Sequence, residues 1–199
     1  MSEVNAQTTW ARRDPTSTGP VIAPPVAPFP LIPPRGIPRG RSRARRLARA
    51  EFRSLHDTIR VETSRCHEFV DITDEVRAIV SASGVRSGMA NVQSMHTTAA
   101  VLVNEAEPLL FEDIGWALEV FAPRRRGYRH DRFDIRTVNM TPDERPNGHA
   151  HCKASLLRTS EVINIVQGRM NLGRWQRIFL LELDRPKERR VSVMVIGCA

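Results

Sequence analysis

The stretch Arg177-Ile178-Phe179-Leu180-Leu181-Glu182-Leu183 is an almost continuous apolar run. A short run of this kind is typical of a strand that is covered on both faces. Branched apolar residues alternate with polar ones over 162–166 and 190–197, which predicts one strand before this run and one after it. We therefore expect three strands in the last third of the chain, with residues 177–183 in the central one.

Two segments in the middle of the chain show helical periodicity. Residues 71–80 place apolar side chains on one face and acids in the first turn, and Gly84 is positioned to end this helix in a left-handed conformation. A second helix is predicted from Pro108, which suits a first helical turn, to Pro123, which interrupts the pattern.

Three more strands are predicted over 58–63, 89–95 and 99–103, and residues 123–146 are expected to form a long surface loop. The strands do not alternate regularly with helices, so a doubly wound parallel sheet is not expected. The pattern predicts an α+β domain built as a mainly antiparallel sheet or β-sandwich with two principal helices.

The positive charge of the chain is concentrated at its N-terminus. Residues 1–50 carry nine arginines and two acids, which is +7 of the formal net charge of +8. Prolines crowd residues 15–38 and arginines crowd residues 39–49, so residues 1–50 are expected to be a disordered tail before a domain at 51–199. A near-neutral domain lacks the broad basic surface of a dedicated nucleic-acid binder, so nucleic acid is expected as a partner only through the tail.

The cysteines Cys66, Cys152 and Cys198 are odd in number and widely spaced, which indicates neither a disulfide framework nor a zinc knuckle. No apolar run approaches the roughly 20 residues of a membrane-spanning helix. We expect a protein of the cytoplasm with no membrane partner.

Three histidines at the ends of predicted strands or in loops are candidates for chemistry: His96, His130 and His151. His149 and His151 would share a face on an extended segment but diverge by about 200° on a helix, and the sequence leaves these alternatives open. Metal binding would require three or four converging ligands, and these spacings match no short zinc signature. An isolated histidine is more commonly a hydrogen-bonded surface or core residue.

Polar residues close another predicted strand and follow the histidine-rich segment. Glu105 could serve as a general base or metal ligand, or its charge could simply complement the following helix. Lys153 could neutralise a phosphate or a carboxylate, with Ser155 donating to the same anion, although a solvated lysine is commoner.

Four motifs occur in order along the chain, and they resemble those of the YjbQ family, also called secondary thiamine-phosphate synthases. The motifs are His96-Thr97-Thr98-Ala99, Asn104-Glu105, Asn147-Gly148-His149-Ala150-His151-x-Lys153-Ala154-Ser155-Leu156-Leu157 and Gly168-Arg169-x-x-Leu172-Gly173-x-Trp175-Gln176. The resemblance extends over about residues 52–197. Two departures are Arg158, where the family often has glycine, and a long loop between His130 and Asn147.

The resemblance implies a compact α+β sandwich that assembles as a cyclic homotrimer, with a polar pocket at or near the subunit boundary. The family's named activity is that of a transferase of thiamine biosynthesis. It joins hydroxymethylpyrimidine diphosphate to a thiazole phosphate and releases pyrophosphate, at low efficiency. The alternative is a non-catalytic protein that binds a metal or a small phosphorylated metabolite.

The resemblance also implies roles for individual residues and a divalent metal, zinc or magnesium, as a cofactor. The expected catalytic residues are His96, Glu105 and Lys153. The expected substrate-binding residues are Thr97, Asn104, Asn147 and Ser155. The expected metal ligands are His96, His130 and His151.

Overall fold

The computed structural model describes residues 50–199, so the tail predicted over 1–50 lies outside the described residues except for Ala50. These residues form two antiparallel sheets and three α-helices, as expected for an α+β sandwich. None of the helices in residues 50–199 is long and apolar enough to cross a membrane.

The larger sheet has five strands. Its order across the sheet is β1 (Phe52–Glu62), β8 (Glu188–Cys198), β3 (Ser87–Ser94), β5 (Ser160–Val166) and β6 (Arg169–Met170). The smaller sheet has the order β2 (Phe69–Asp71), β7 (Gln176–Glu182) and β4 (Ala99–Glu105). Every neighbouring pair in both sheets is antiparallel. The helices are α1 (Thr73–Ser83), α2 (Pro108–Phe121) and α3 (Gly148–Leu156), and a single 3-10 turn covers Arg129–Asp131.

The position of β7 explains why its sequence is almost wholly apolar. Ile178 and Leu180 point into the main core, between the smaller sheet, α1 and the larger sheet. Leu181 points the other way, into a second cluster with Leu118 of α2 and Ala150 of α3. Because successive side chains of a strand face opposite sides, a strand between two cores needs apolar residues at nearly every position.

The predicted ends of the first two helices are confirmed. Gly84 ends α1 in the left-handed region at φ 65°. Pro108 occupies the first turn of α2, and the Glu107 carboxylate accepts hydrogen bonds from the Leu109 and Leu110 amides at 2.9 and 2.7 Å. Glu107 therefore caps the helix, which is the structural role that acids at this position were expected to have.

The third helix, α3, was not among the two predicted helices, because its sequence has no clear apolar face. Its first two amides, those of Asn147 and Gly148, both donate to the Asp131 carboxylate at 2.9 Å. Only glycine fits at position 148, since a Cβ there would lie 2.5 Å from the Cβ of Tyr128. The helix therefore begins where a distant loop supplies its cap and packs closely against it.

A buried ion pair joins the two sheets. Glu182 of β7 is fully buried and Arg189 of β8 is 2% exposed. The Arg189 guanidinium donates to both Glu182 carboxylate oxygens and, at 3.1 Å, to the Thr98 hydroxyl. The same carboxylate accepts from the Thr63 hydroxyl at 3.0 Å and from the Asp184 amide at 2.8 Å. Its oxygens are thus satisfied from both sheets.

We expect Glu182→Gln to lower the free energy of unfolding by about 3–5 kcal/mol, because it leaves the Arg189 charge buried without a counter-charge. Denaturant unfolding followed by circular dichroism measures the change. Asp134→Asn, which removes one acid of an exposed pair with Arg132, is the control and should change stability little. Similar losses in both variants would contradict a special role for the buried pair. The double change Glu182→Leu with Arg189→Met should cost less than Glu182→Gln alone.

Candidate functional site

A cavity of about 930 Å³ opens beside the start of β4 and the start of β8. Five of the candidate residues identified in the sequence analysis line this cavity. They are His96, Thr97, His130, Asn147 and His151. We call this cavity the histidine pocket.

The helix α3 directs Asn147 and His151 to the histidine pocket together. The two residues lie one helical turn apart, and the His151 amide donates to the Asn147 carbonyl at 3.3 Å. Asn147 is 6% exposed, and its side-chain oxygen Oδ1 is buried with no hydrogen-bond partner among the described residues. A buried oxygen without a partner is costly, so a ligand donor that reached this oxygen would be favoured.

The rings of His130 and His151 lie close together, with centroids 4.5 Å apart and planes tilted by 59° to each other. The Arg136 guanidinium donates to His130 Nε2 at 3.1 Å, so this nitrogen is an acceptor. Burial lowers the pKa of His151, and the neighbouring His130 and Arg136 lower it further. His151 is therefore neutral at neutral pH when the pocket holds no anion.

His96 lies on the opposite wall of the pocket. Its Nε2 accepts a hydrogen bond from the Arg190 amide at 2.8 Å, which leaves Nδ1 as the nitrogen that carries the proton. Burial, followed by the charges of Arg189 and Arg190, lowers the pKa of this ring. His96 is thus fixed in one tautomer with a single free donor.

Cations outnumber acids around the histidine pocket. Glu144 is the one carboxylate of residues 50–199 that lines the pocket, and four cationic side chains line it: Arg129, Arg136, Lys187 and Arg189. Arg189 is neutralised by Glu182, and Arg136 lies 3.9 Å from Glu144. Lys187 shares Asp184 with Arg185, and Arg129 makes no ion pair within residues 50–199. The remaining positive charge favours an anionic ligand.

The three predicted metal ligands do not form a metal-binding set in the described residues. No group of three or more His, Cys, Asp or Glu side chains in residues 50–199 is arranged to hold a metal ion. One ring nitrogen of His96 is occupied by Arg190, and Arg136 occupies His130 Nε2. The donor set that remains, His151 with the Asn147 oxygen, is too small for zinc. Metal binding stays a prediction.

Two predicted residues lie at the far end of β4 from the histidine pocket. Asn104 and Glu105 end this strand and pair with Arg177 and Gln176, whereas His96 precedes its start. Seven residues of extended chain separate them, which is on the order of 20 Å. Within one chain, Glu105 and Asn104 therefore do not contribute to the histidine pocket.

Lys153 lies on the other face of α3, away from the pocket. It is fully buried, and its ammonium donates to Glu119 of α2 and, at 3.0 Å, to His67 Nε2. His149 lies on the same face and is 4% exposed. Ser155 is exposed and donates to the Cys152 carbonyl at 2.7 Å. The motif from Asn147 to Ser155 is thus divided: Asn147 and His151 line the histidine pocket, whereas Lys153 is buried on the other face of α3.

Sequence reasoning missed the partners of Lys153. His67 lies between β1 and β2 in a positive-φ conformation at 56°, which is uncommon for a residue with a side chain. Burial and the Lys153 charge lower its pKa to about 4. No sequence signal marked Glu119, an isolated polar residue in an apolar segment, and His67 was not among the histidines identified as candidates. The pocket cations Arg129 and Arg136 lay in the loop where His130 was the one residue expected to carry chemistry.

The family model and similar relatives point to the same protein family. The family model described as "UPF0047 protein YjbQ-like" matches residues 57–198. A UPF0047 protein of Methanothermobacter thermautotrophicus is 39% identical over 137 residues, which cover 69% of this chain and 88% of that protein. A UPF0047 protein of Archaeoglobus fulgidus is 40% identical over 136 residues, which cover 68% of this chain and 97% of that protein.

Solved structures show the same fold. A YbjQ-like protein of unknown function from Sulfolobus solfataricus matches with a TM-score of 0.66 at 36% identity, over 74% of this chain and 99% of that chain. A hypothetical protein from Aeropyrum pernix matches with a TM-score of 0.63 at 35% identity, over 72% of this chain and 98% of that chain.

We expect the free energy of unfolding to fall as the pH drops from about 6.5 to about 4, because of His67. In this range the unfolded chain protonates His67 and the folded chain does not, so acid favours unfolding. This lowering of the His67 pKa corresponds to at most about 3 kcal/mol of the free energy of unfolding. His67→Asn should remove this part of the slope, since asparagine tolerates a left-handed backbone. Denaturant unfolding at a series of pH values measures the slope.

The matched control is His56→Asn, which changes an exposed histidine on β1. This variant should keep the wild-type slope. Carboxylates such as Glu119, whose pKa is lowered by its hydrogen bond from Lys153, act at lower pH and in all three proteins. An unchanged slope in His67→Asn would show that His67 does not carry the effect.

Proposed function

The chain belongs to the UPF0047/YjbQ family, and we propose that its histidine pocket acts on phosphorylated metabolites as a low-efficiency transferase of the thiamine-phosphate synthase type. The observation that carries the proposal is the cationic pocket in which His96, His151 and the unpartnered Asn147 oxygen converge. The motifs that resemble the secondary thiamine-phosphate synthases supply the reaction type.

The reaction breaks the bond between the methylene carbon of hydroxymethylpyrimidine diphosphate and its bridging oxygen. The thiazole ring nitrogen forms the new bond to that carbon, and pyrophosphate leaves with the electron pair of the broken bond. Charge therefore develops on the departing oxygens, where preorganised cations and hydrogen-bond donors stabilise the transition state. In this pocket Arg129, Lys187 and the His96 Nδ1 proton are the groups available for that task.

The neutral state of His151 suits an anionic ligand. Burial lowers the pKa of His151, and the neighbouring His130 and Arg136 lower it further; phosphate oxygens that enter the pocket offset this second contribution. His151 then gains a partner for a second proton and becomes a charged donor to the leaving group, whereas His96 keeps only its Nδ1 proton because the Arg190 amide occupies Nε2. The unpartnered Asn147 oxygen is an acceptor for the amino group of an aminopyrimidine.

Lys153 does not touch the substrate in this proposal, although the sequence suggested a catalytic role for it. Its ammonium lies on the far face of α3 and is held by Glu119 and His67. We assign it a positioning role, because it ties the helix that carries Asn147 and His151 to α2. The stabilisation of the pyrophosphate is assigned to the pocket cations instead.

A divalent ion remains part of the proposal only as a companion of the substrate. A diphosphate brings oxygen ligands of its own, and Mg²⁺ is commonly bound through substrate phosphates with few protein ligands. His151 and the Asn147 oxygen are the protein groups that would face such an ion. No step of the proposed reaction passes through this ion, since the arginines beside the histidines favour an anion over a cation.

A second candidate is a non-catalytic protein that binds a phosphorylated metabolite in the same pocket. It is favoured by one observation, which concerns the hydroxyls of the pocket. Thr98 already accepts a hydrogen bond from buried Arg189, and no nucleophile–base pair lines the pocket within the described residues. Ligand binding without turnover would distinguish this candidate from the transferase.

We further propose that the chain assembles as a homotrimer in which Glu105 of one copy reaches the pocket of another. Glu105 lies on the order of 20 Å along β4 from His96 in one chain, so only a neighbouring copy can bring it there. The outer face of α2 supports assembly, since Leu109, Trp116 and Val120 are 67%, 71% and 62% exposed. An exposed apolar patch of this kind is typical of a protein interface.

We expect the purified protein to form thiamine phosphate from the two phosphorylated precursors, and His151→Ala to lower the rate by at least about a hundredfold. Product is measured by fluorescence after oxidation to thiochrome, with chelator and with added Mg²⁺ or Zn²⁺. His56→Ala removes a histidine outside the pocket and is the matched control.

Absence of product above the blank under all three conditions would overturn the transferase. In that case calorimetry with inorganic pyrophosphate decides between the remaining possibilities. Binding that is lost in His151→Ala would support the non-catalytic candidate, and no binding would exclude both functions for this pocket.

The shared pocket predicts complementation between inactive subunits. Glu105→Gln and His151→Ala should each be inactive, and trimers formed by unfolding and refolding a mixture should regain roughly a quarter of the wild-type rate. Activity returns because some subunit boundaries in the mixed trimers combine an intact His151 from one copy with an intact Glu105 from its neighbour. A mixture that stays inactive, although light scattering shows trimers, would place Glu105 outside the reaction.

A further inference from the structure

A second cleft lies at the other end of β4 from the histidine pocket, between α1 and the segment that joins β5 to β7. It has a volume of about 610 Å³. Four arginines line it: Arg77, Arg169, Arg174 and Arg177. We call it the arginine cleft. It contains much of the motif Gly168 to Gln176, for which the proposed function has no role.

Two of the four arginines are already neutralised. Arg77 forms an ion pair with Asp74, and Arg177 donates to Asp71 at 2.7 Å and lies 3.6 Å from Asp74. Arg169 and Arg174 form no ion pair with any carboxylate in residues 50–199, and both are exposed. The cleft therefore has about two positive charges available to a ligand.

Two partly exposed apolar side chains, Met170 and Leu172, line the cleft and pack against the main core. A ligand that fills the cleft would bury carbon against these two side chains while its charged end remains among the arginines. Burial of apolar area stabilises such a complex by about 25 cal/mol per Å².

The two available arginines are held by short, well-defined turns. Gln167 and Gly168 both have positive φ, 54° and 78°, which forms the tight turn before Arg169. The Gly173 amide donates to the Gln176 side chain at 2.7 Å, and the Gln176 amide donates back to Gly173 at 3.0 Å. Arg174, between them, stacks on Trp175 with its guanidinium carbon 4.5 Å from the ring centroid. Both guanidiniums are therefore attached to ordered backbone.

We propose that the arginine cleft is a binding site for an organic phosphate with an apolar or aromatic body. The planar forks of Arg169 and Arg174 match the oxygens of a phosphate group, which guanidinium binds through paired hydrogen bonds. Met170 and Leu172 contact the body of the ligand. Within one chain the arginine cleft and the histidine pocket lie at opposite ends of β4.

A long polyanion does not fit the same observations. Asp71 and Asp74 hold Arg177 and Arg77, so of the described arginines only Arg169 and Arg174 are available to phosphates at this cleft. The charge of the described domain is close to neutral, whereas nucleic-acid binders depend on many phosphate contacts. A single small phosphate needs no more than these two arginines.

The test is calorimetry of the full chain with 1-naphthyl phosphate in the His151→Ala background, where the histidine pocket is impaired. We expect saturable binding of one molecule per chain. Adding Arg169→Gln with Arg174→Gln should weaken it at least about tenfold. The matched control, Arg60→Gln with Arg126→Gln, removes two exposed arginines outside the cleft and should leave the affinity unchanged within twofold.

Further ligands test the two parts of the proposed site. Inorganic phosphate should bind at least about tenfold more weakly than 1-naphthyl phosphate, because it makes no contact with the apolar interior. Equal affinity for the two would overturn the assignment to organic phosphates. No binding of 1-naphthyl phosphate, or equal loss in the control variant, would overturn the site itself. Because binding is measured in the His151→Ala background, its outcome does not depend on the turnover proposed for the histidine pocket, and the two proposals fail independently.

Discussion

The structure depends on the buried ion pair between Glu182 and Arg189, because it satisfies polar groups from both sheets at a single point. An unpaired charge at either position would be unstable in this interior. The network with Thr63 and Thr98 removes that cost by giving each oxygen and each guanidinium edge a partner. It also brings the end of β1, the start of β4 and the start of β8 together. The histidine pocket forms around these strand ends, so one wall of the pocket is rigid.

The helix α3 is the second element that shapes the site, and its two faces have different tasks. Residues on a helix diverge by about 100° per position, so Asn147 and His151 share one face while His149 and Lys153 share another. The first face meets the pocket and the second is buried against Glu119 and His67. A motif that is compact in sequence is therefore split between ligand contact and helix anchoring. The anchoring limits how far His151 can move without breaking a buried charge pair.

The sequence predicted six of the eight strands in residues 50–199 and the first two helices, because their side chains follow regular periods. It missed β2 and β6, which have three and two residues and are too short to show a period. It also identified β7 as central, since a strand between two cores leaves no position for polar residues until Glu182. It did not predict α3, whose cap comes from Asp131 through a loop rather than from its own residues. The resemblance found the pocket residues His96, His130, Asn147 and His151. It also placed Lys153 and Glu105 beside them. Within one chain Lys153 lies on the other face of α3 and Glu105 at the far end of β4, because a motif gives the order of residues but not the helix face or the length of strand between them. A role for Glu105 in the pocket stays a proposal that needs a neighbouring copy.

The two cationic sites differ in a way that follows from their side chains. In the proposed function His151, whose pKa is lowered first by burial, gains a proton when an anion enters the histidine pocket and loses it when the anion leaves. Such a pocket can hold a diphosphate during reaction and release pyrophosphate without a permanent surplus of charge. Arginines keep their charge at any physiological pH, so the arginine cleft attracts phosphate at all times. A site of that kind is suited to retaining a ligand. The near-neutral charge of residues 51–199 is consistent with both sites, because Glu182, Asp184, Asp71 and Asp74 offset the cations that are not available to ligands.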